Sequence, residues 1–191
     1  MIINKIAPNF SCQAIVDGVI KTVSLSDFTE KYKVLFFYPL NFTFVCPTEM
    51  HALQEKMDQF KDNNVAVLAI SVDSVHSHHA WLQMPRTQAG IAGITYPLLS
   101  DITKNIAREY GVLDEEAGVA YRGTFILDAE NRIHHASINN LPIGRNIAEY
   151  IRLIQAIDAH KKNGEVCPAN WKKDDPQFKP THKAVLDYFS E

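Results

Sequence analysis

Two stretches of consecutive apolar residues constrain this chain more than anything else in it: Val34–Tyr38 (Val-Leu-Phe-Phe-Tyr) and Val65–Val72 (Val-Ala-Val-Leu-Ala-Ile-Ser-Val). Runs that are apolar at nearly every position, rather than at alternate ones, belong to strands buried on both faces. Between them Met50, Leu53, Met57 and Phe60 recur at intervals of three and four, the stripe of one helix face, and Asp62-Asn63-Asn64 supplies a stop. The alternation continues. His78–Met84 reads as a short helix broken by Pro85, Tyr96–Leu99 as a third strand, and Thr103–Tyr110 as a short helix closed by Gly111. Tyr121–Asp128 and Ile133–Ile138 flank Ala129–Arg132, which reads as a hairpin turn. Asn146 to about Lys162 carries Ile147, Tyr150, Ile151, Ile154 and Ile157 on one stripe, with Gly164 just past its end. The expected fold is α/β, a mixed sheet flanked by helices.

Past Gly164 the pattern stops. Pro168, Pro176 and Pro180 and the cluster Lys172-Lys173-Asp174-Asp175 interrupt any regular period. Residues 1–163 are therefore expected to form the domain and 164–191 an extended C-terminal arm, with Ala184–Phe189 a short amphipathic turn or two. A chain of 191 residues, 46% hydrophobic, buries one sizeable core. A net charge of −3 without like-charge runs argues against nucleic acid as a partner. No apolar window approaches the roughly 18 residues of a membrane span, and the N-terminus shows no secretory h-region. A cytoplasmic protein with no membrane partner is expected.

Chemistry is expected from sulfur. Cys12, Cys46 and Cys167 include no Cys-x-x-Cys, which weakens both a zinc ribbon and a thioredoxin-type dithiol. Cys46 falls between the first apolar strand and the helical stripe that follows. A thiol at a helix start sits beside unpaired backbone N–H groups and the positive end of the dipole, and both favour the thiolate. Pro39 and Pro47 fix the chain direction on either side, and Thr43 offers a hydroxyl three residues before the thiol. These features leave three alternatives open: inert buried thiols, a single nucleophile, or a reversible pair. Cys12 has no basic neighbour and no helix start, so it reads as structural. His76, His78 and His79 read as a solvated or partly packed helix start rather than a metal site, because no carboxylate or cysteine follows at ligand spacing. His134 and His135 suggest no chemistry.

Pro39-x-x-x-Thr43-x-x-Cys46 resembles the active-site signature of the peroxiredoxins. Its wider form, Phe37-Tyr-Pro-Leu-Asn-Phe-Thr-Phe-Val-Cys-Pro-Thr-Glu49, is similar to that of the typical 2-Cys group. Ser71-Val-Asp-Ser74 with Trp81, Arg122-Gly-Thr-Phe-Ile-Leu-Asp128, Pro142-Ile-Gly-Arg145 and Gly164-Glu-Val-Cys-Pro-Ala-Asn-Trp171 resemble further family segments in the family's order. The likeness spans nearly the whole chain.

The resemblance implies a thioredoxin-like fold and reduction of hydrogen peroxide and organic hydroperoxides. It implies that Cys46 attacks the peroxide and becomes a sulfenic acid, with Thr43, the Cys46 N–H and Arg122 as donors to the leaving oxygen. Pro39 shapes the loop, Glu49 orients the arginines, Arg145 supports Arg122, and Trp81 shields the disulfide region or packs the core. It implies that Cys167 of a partner subunit resolves the sulfenic acid in a homodimer that assembles to a decamer. The disulfide is then reduced by thioredoxin or by a dedicated flavoprotein reductase. No cofactor and no metal are expected. Alternatives from other classes are a peroxide sensor or holdase assembly, and a metal-binding module built on the histidines. Ala89-Gly-Ile-Ala92 stands where peroxide-sensitive relatives carry Gly-Gly-Leu-Gly, whereas Tyr188-Phe189 resembles their C-terminal pair. Intermediate sensitivity to overoxidation is expected.

Overall fold

The two apolar runs lie side by side at the centre of a sheet in the computed structural model, which describes residues 2–190. In chain order the first elements are β1 (Ser11–Val16), β2 (Val19–Ser24), β3 (Tyr32–Phe37), α1 (Cys46–Gln54), α2 (Met57–Asp62), β4 (Val65–Ser71) and α3 (Val75–Gln83). There follow β5 (Leu98–Ser100), α4 (Asn105–Glu109), β6 (Leu113–Asp114), β7 (Val119–Ala120), β8 (Arg122–Asp128) and β9 (Ile133–Asn139). The seven-stranded sheet runs β2-β1-β5-β4-β3-β8-β9. Strands β3, β4 and β5 are parallel, and the remaining pairings are antiparallel, so the sheet is mixed as expected.

Register decides what faces what. Phe36 of β3 pairs with Ala69 of β4 and with Thr124 of β8, so these residues share a face. Arg122, two residues before Thr124, points the same way because side chains alternate along a strand. Leu35, Phe37, Leu68, Ile70 and Phe125 belong to the opposite face, where they cluster with Ile106, Ala107 and Tyr110. Phe37, Tyr110 and Phe125 form a ring cluster there, with centroids 5.1–5.7 Å apart. Burying each such side chain stabilises the fold by roughly 1.5–3 kcal/mol.

The sequence pattern missed two features. The stripe from Met50 to Phe60 is two helices, because Lys56 N donates to Leu53 O at 3.0 Å and tightens the last turn of α1. Spacing alone does not reveal this, since Met57 and Phe60 stay in phase. The β1–β2 hairpin was also missed. Its outer strand is mostly exposed and does not alternate, but Asp17-Gly18 at its tip adopts positive φ at both residues (53° and 76°), as a type I′ turn requires. Helix α3 starts earlier than its apolar pattern, where Ser74 caps the Ser77 N–H at 3.2 Å. The 129–132 turn is as expected, and His134, to which the pattern assigned nothing, pairs with Asp128 at 2.8 Å across it.

Two compact units emerge, 1–147 and 148–191. Helix α5 (Ile147–Asn163) falls almost wholly in the second. Gly164, at φ 69°, ends α5 with its N–H on His160 O at 2.8 Å. Within the second unit Val166 and Phe178 form an antiparallel bridge, Trp171 is buried, and a last helix, α6 (His182–Tyr188), is capped by Thr181. No helix among the described residues is long and apolar enough to cross a membrane.

Candidate active site

Cys46 is the first residue of α1, reached by the loop that leaves the C-terminal end of β3, and it is fully buried. Pro47 occupies the second position, where a missing N–H costs nothing. Helix geometry places Glu49, one turn on, beside the thiol. The sheet supplies the opposite wall. Arg122 Nη1 lies 3.4 Å from Cys46 Sγ and 2.8 Å from Glu49 Oε2, while its Nε donates to Leu141 O at 2.7 Å. One planar fork thus reaches sulfur, carboxylate and backbone together, which a lysine does not.

Arg145 completes the wall. It donates to Glu49 through its backbone N (2.9 Å), Nε (2.8 Å) and Nη2 (2.9 Å), and through Nη1 to Gly123 O and Thr124 Oγ1. Its guanidinium carbon lies 3.2 Å over the Phe36 ring centroid, the stacking partner that the β3–β8 register provides. Glu49, 2% exposed, is therefore shared between two buried guanidiniums, and its single charge is divided between them.

Other expected residues are placed differently. Thr43 donates its hydroxyl to Leu40 O at 2.9 Å, within its own loop. Pro39 is buried at the loop's start. Trp81 is buried, donates Nε1 to Ala89 O at 3.0 Å, and packs near Tyr38 and Phe42. Together with His51, which bonds Gly90 O at 2.9 Å, it fastens the 89–92 segment, where a side chain at Gly90 would run into the Met84 carbonyl. Cys167 lies in the second unit, half-buried against Ala156 O and Gln177. All three cysteines are free. Burial foremost, and Asp101 next, push the Cys12 thiol up to about 12, which suits a structural thiol and not a nucleophile.

A polar network that residue spacing barely signals braces the Cys46 loop. Asn41 N donates to Asp73 Oδ2 (2.9 Å), and its amide donates to Ser77 Oγ (2.8 Å) and His78 Nδ1 (3.0 Å). Tyr38 O–H donates to Asn41 Oδ1 at 2.8 Å, and Asp73 also accepts from Ser71 Oγ at 2.6 Å. Phe42, the residue after Asn41, stands at φ 56°, an uncommon conformation for a bulky residue. Only the polar end of the second apolar run, Ser71-Val-Asp-Ser74, hinted at the network. His78 is fully buried, against the expectation of a solvated or partly packed position, whereas His76 and His79 are exposed. Its Nε2 faces Leu99 O at 3.1 Å and so carries the hydrogen.

Burial pushes the His78 imidazole below its ordinary value, so it stays neutral in the fold. The unfolded chain takes up a proton at this residue below about pH 6.5 and the folded one resists. Its contribution is thus present in full above that pH and is lost as pH falls toward the folded value, at up to about 1.4 kcal/mol per pH unit. Urea unfolding at about pH 7.5 and about pH 5.5 is expected to show this decline, flattened in His78→Gln; an unchanged slope in the variant contradicts it.

A buried cysteine at a helix start, facing an arginine from a parallel-cored mixed sheet, defines a thiol-redox protein of thioredoxin-like build. Comparison with known proteins narrows this. The AhpC/TSA family model matches residues 3–136, and the C-terminal domain of 1-Cys peroxiredoxin matches residues 156–191. A rat protein named thioredoxin-dependent peroxide reductase, mitochondrial, is 50% identical over 185 residues, covering 97% of this chain and 72% of the relative. The structure of a reduced 2-Cys peroxiredoxin from Plasmodium vivax superposes with a TM-score of 0.96 at 42% identity, covering both chains fully. That of the mitochondrial 2-Cys peroxiredoxin from Plasmodium falciparum gives 0.82 at 45% identity, covering 87% of this chain and 99% of that one. The chain belongs to the AhpC/TSA family and is a typical 2-Cys peroxiredoxin, a thiol-dependent peroxidase.

The relatives also correct one expectation. Both the rat and the Plasmodium falciparum proteins are named as mitochondrial, against the cytoplasmic expectation.

Proposed function

We propose that Cys46 is the peroxidatic residue and that Arg122 is its principal partner in breaking the oxygen–oxygen bond. The observation that carries this is the single Arg122 nitrogen placed 3.4 Å from Cys46 Sγ while anchored 2.8 Å from Glu49. The sulfur anion attacks one peroxide oxygen in line; an S–O bond forms, the O–O bond breaks, and the departing oxygen leaves as alcohol or water after taking a proton. Arg122 and the Cys46 N–H stabilise the charge that develops on it, and the Thr43 hydroxyl joins them by rotating off Leu40 O. Glu49 and Arg145 hold Arg122 in place. Pro39 shapes the entrance to the loop, and Trp81 braces it through Phe42.

Cys167, in the arm 164–191 that follows the 1–163 peroxidase domain, condenses with the sulfenic acid to form a disulfide with Cys46 of a partner subunit. The protein works as a homo-oligomer, a dimer assembling to a decamer. Thioredoxin is the favoured reductant, in keeping with the rat relative's name, and a flavoprotein reductase is the other candidate. The test is Cys167→Ser. Treated with one equivalent of hydrogen peroxide, it is expected to lose peroxide once but to form no disulfide-linked dimer on a non-reducing gel. A reducible dimer in this variant removes Cys167 from the cycle.

A further inference from the structure

Cys167 sits in a small polar clasp within the second unit. Its thiol faces Ala156 O on α5 at 3.5 Å, and Gln177 Nε2 donates to the sulfur at 3.2 Å. The far end of the Gln177 amide is held in turn, because Asn163 Nδ2 donates to Gln177 Oε1 at 2.7 Å. A carboxamide has one acceptor end and one donor end. With its oxygen taken by Asn163, Gln177 turns its NH2 toward the sulfur. The backbone fixes the pair, since Val166 and Phe178, the neighbours of Cys167 and Gln177, form the antiparallel bridge.

We propose that Gln177 is a further catalytic residue of the resolving step, the donor that supports charge on the Cys167 sulfur, and that Asn163 is the positioning residue that aims it. This rests on Cys167 being the resolving thiol. A hydrogen bond to a charged group is stronger than one to a neutral group, so an N–H directed at sulfur favours the anion that attacks. In that step the Cys167 anion attacks the sulfur of the Cys46 sulfenic acid. The S–S bond forms, the S–O bond breaks, and hydroxide departs and takes a proton to become water. No further oxidant or reductant is consumed.

The test is single-turnover kinetics on the full chain, separating oxidation of Cys46 from disulfide formation. Gln177→Leu keeps the bulk and removes the donor. Losing the bond removes the donor that steadies the attacking sulfur, and disulfide formation is expected to be about threefold slower. Gln177→Glu, of the same shape but with acceptors only, is expected to be slower still. Asn163→Asp replaces the aiming donor by an acceptor at an exposed position, turns the Gln177 amide around, and is expected to match Gln177→Leu. In all three the rate of Cys46 oxidation stays at the wild-type value, so sulfinic acid accumulates at lower peroxide. Disulfide formation at or above the wild-type rate in both Gln177→Leu and Asn163→Asp overturns the proposal, as does an equal loss in the oxidation step. Failure of the underlying assignment looks different: Cys167→Ser, run in parallel, then still yields the reducible disulfide.

Discussion

Arg122→Met is expected to slow the reaction of Cys46 with hydrogen peroxide by about 10²–10³-fold, the usual cost of removing one donor aimed at developing charge. The magnitude follows from what the guanidinium does at once. Its Nη1 faces both Cys46 Sγ and Glu49, and its Nε is spent on Leu141 O, so its orientation is set before any peroxide arrives. Arg122→Lys keeps the charge but not the fork, so it cannot hold the backbone carbonyl, the carboxylate and the sulfur together. Its rate is expected to fall between the two. Stopped-flow measurement against peroxide concentration gives the second-order constant directly, and a loss of less than threefold in Arg122→Met takes this residue out of the bond-breaking step.

Glu49→Leu is expected to cost about 3–5 kcal/mol of stability, the range for stranding buried charge by removing one partner. Here two guanidiniums lose the same carboxylate. Arg145 is 1% exposed at its side chain and Arg122 4%, so neither can turn to water without opening the wall between α1 and the sheet. Activity falls with stability, because Arg122 loses the anchor that places it against sulfur. Urea unfolding followed by circular dichroism measures the change. A loss below about 1 kcal/mol shows that the cluster relaxes at little cost and that Glu49 is not its keystone.

What could be read from the sequence, and what could not, follows the range of the interactions involved. The runs at Val34–Tyr38 and Val65–Val72 announced central strands because burial on both faces leaves a mark on consecutive residues. Cys46 at a helix start was visible for the same local reason. Glu49 and Arg145 are 96 positions apart, and nothing in composition or spacing says that three nitrogens of one meet the carboxylate of the other. Only the family resemblance named them together. The Asn41–His78 contact spans 37 positions, so the local pattern reads His78 as solvated or partly packed like its neighbours and not as fully buried. The Thr43 hydroxyl bonds Leu40 O, a choice among local acceptors that residue types alone do not decide. The β1–β2 hairpin carried a readable turn at Asp17-Gly18, but β2 has too few buried residues to register as a strand.

The central claim is that Cys46, alone among the three cysteines, meets the peroxide. Its most direct test is to treat Cys167→Ser with one equivalent of hydrogen peroxide, trap sulfenic acid with a selective nucleophile, and locate the adduct by peptide mass spectrometry. The adduct is expected on Cys46 and is expected to disappear in the Cys46→Ser, Cys167→Ser double variant. An adduct on Cys12, or peroxide consumption that persists without Cys46, contradicts it.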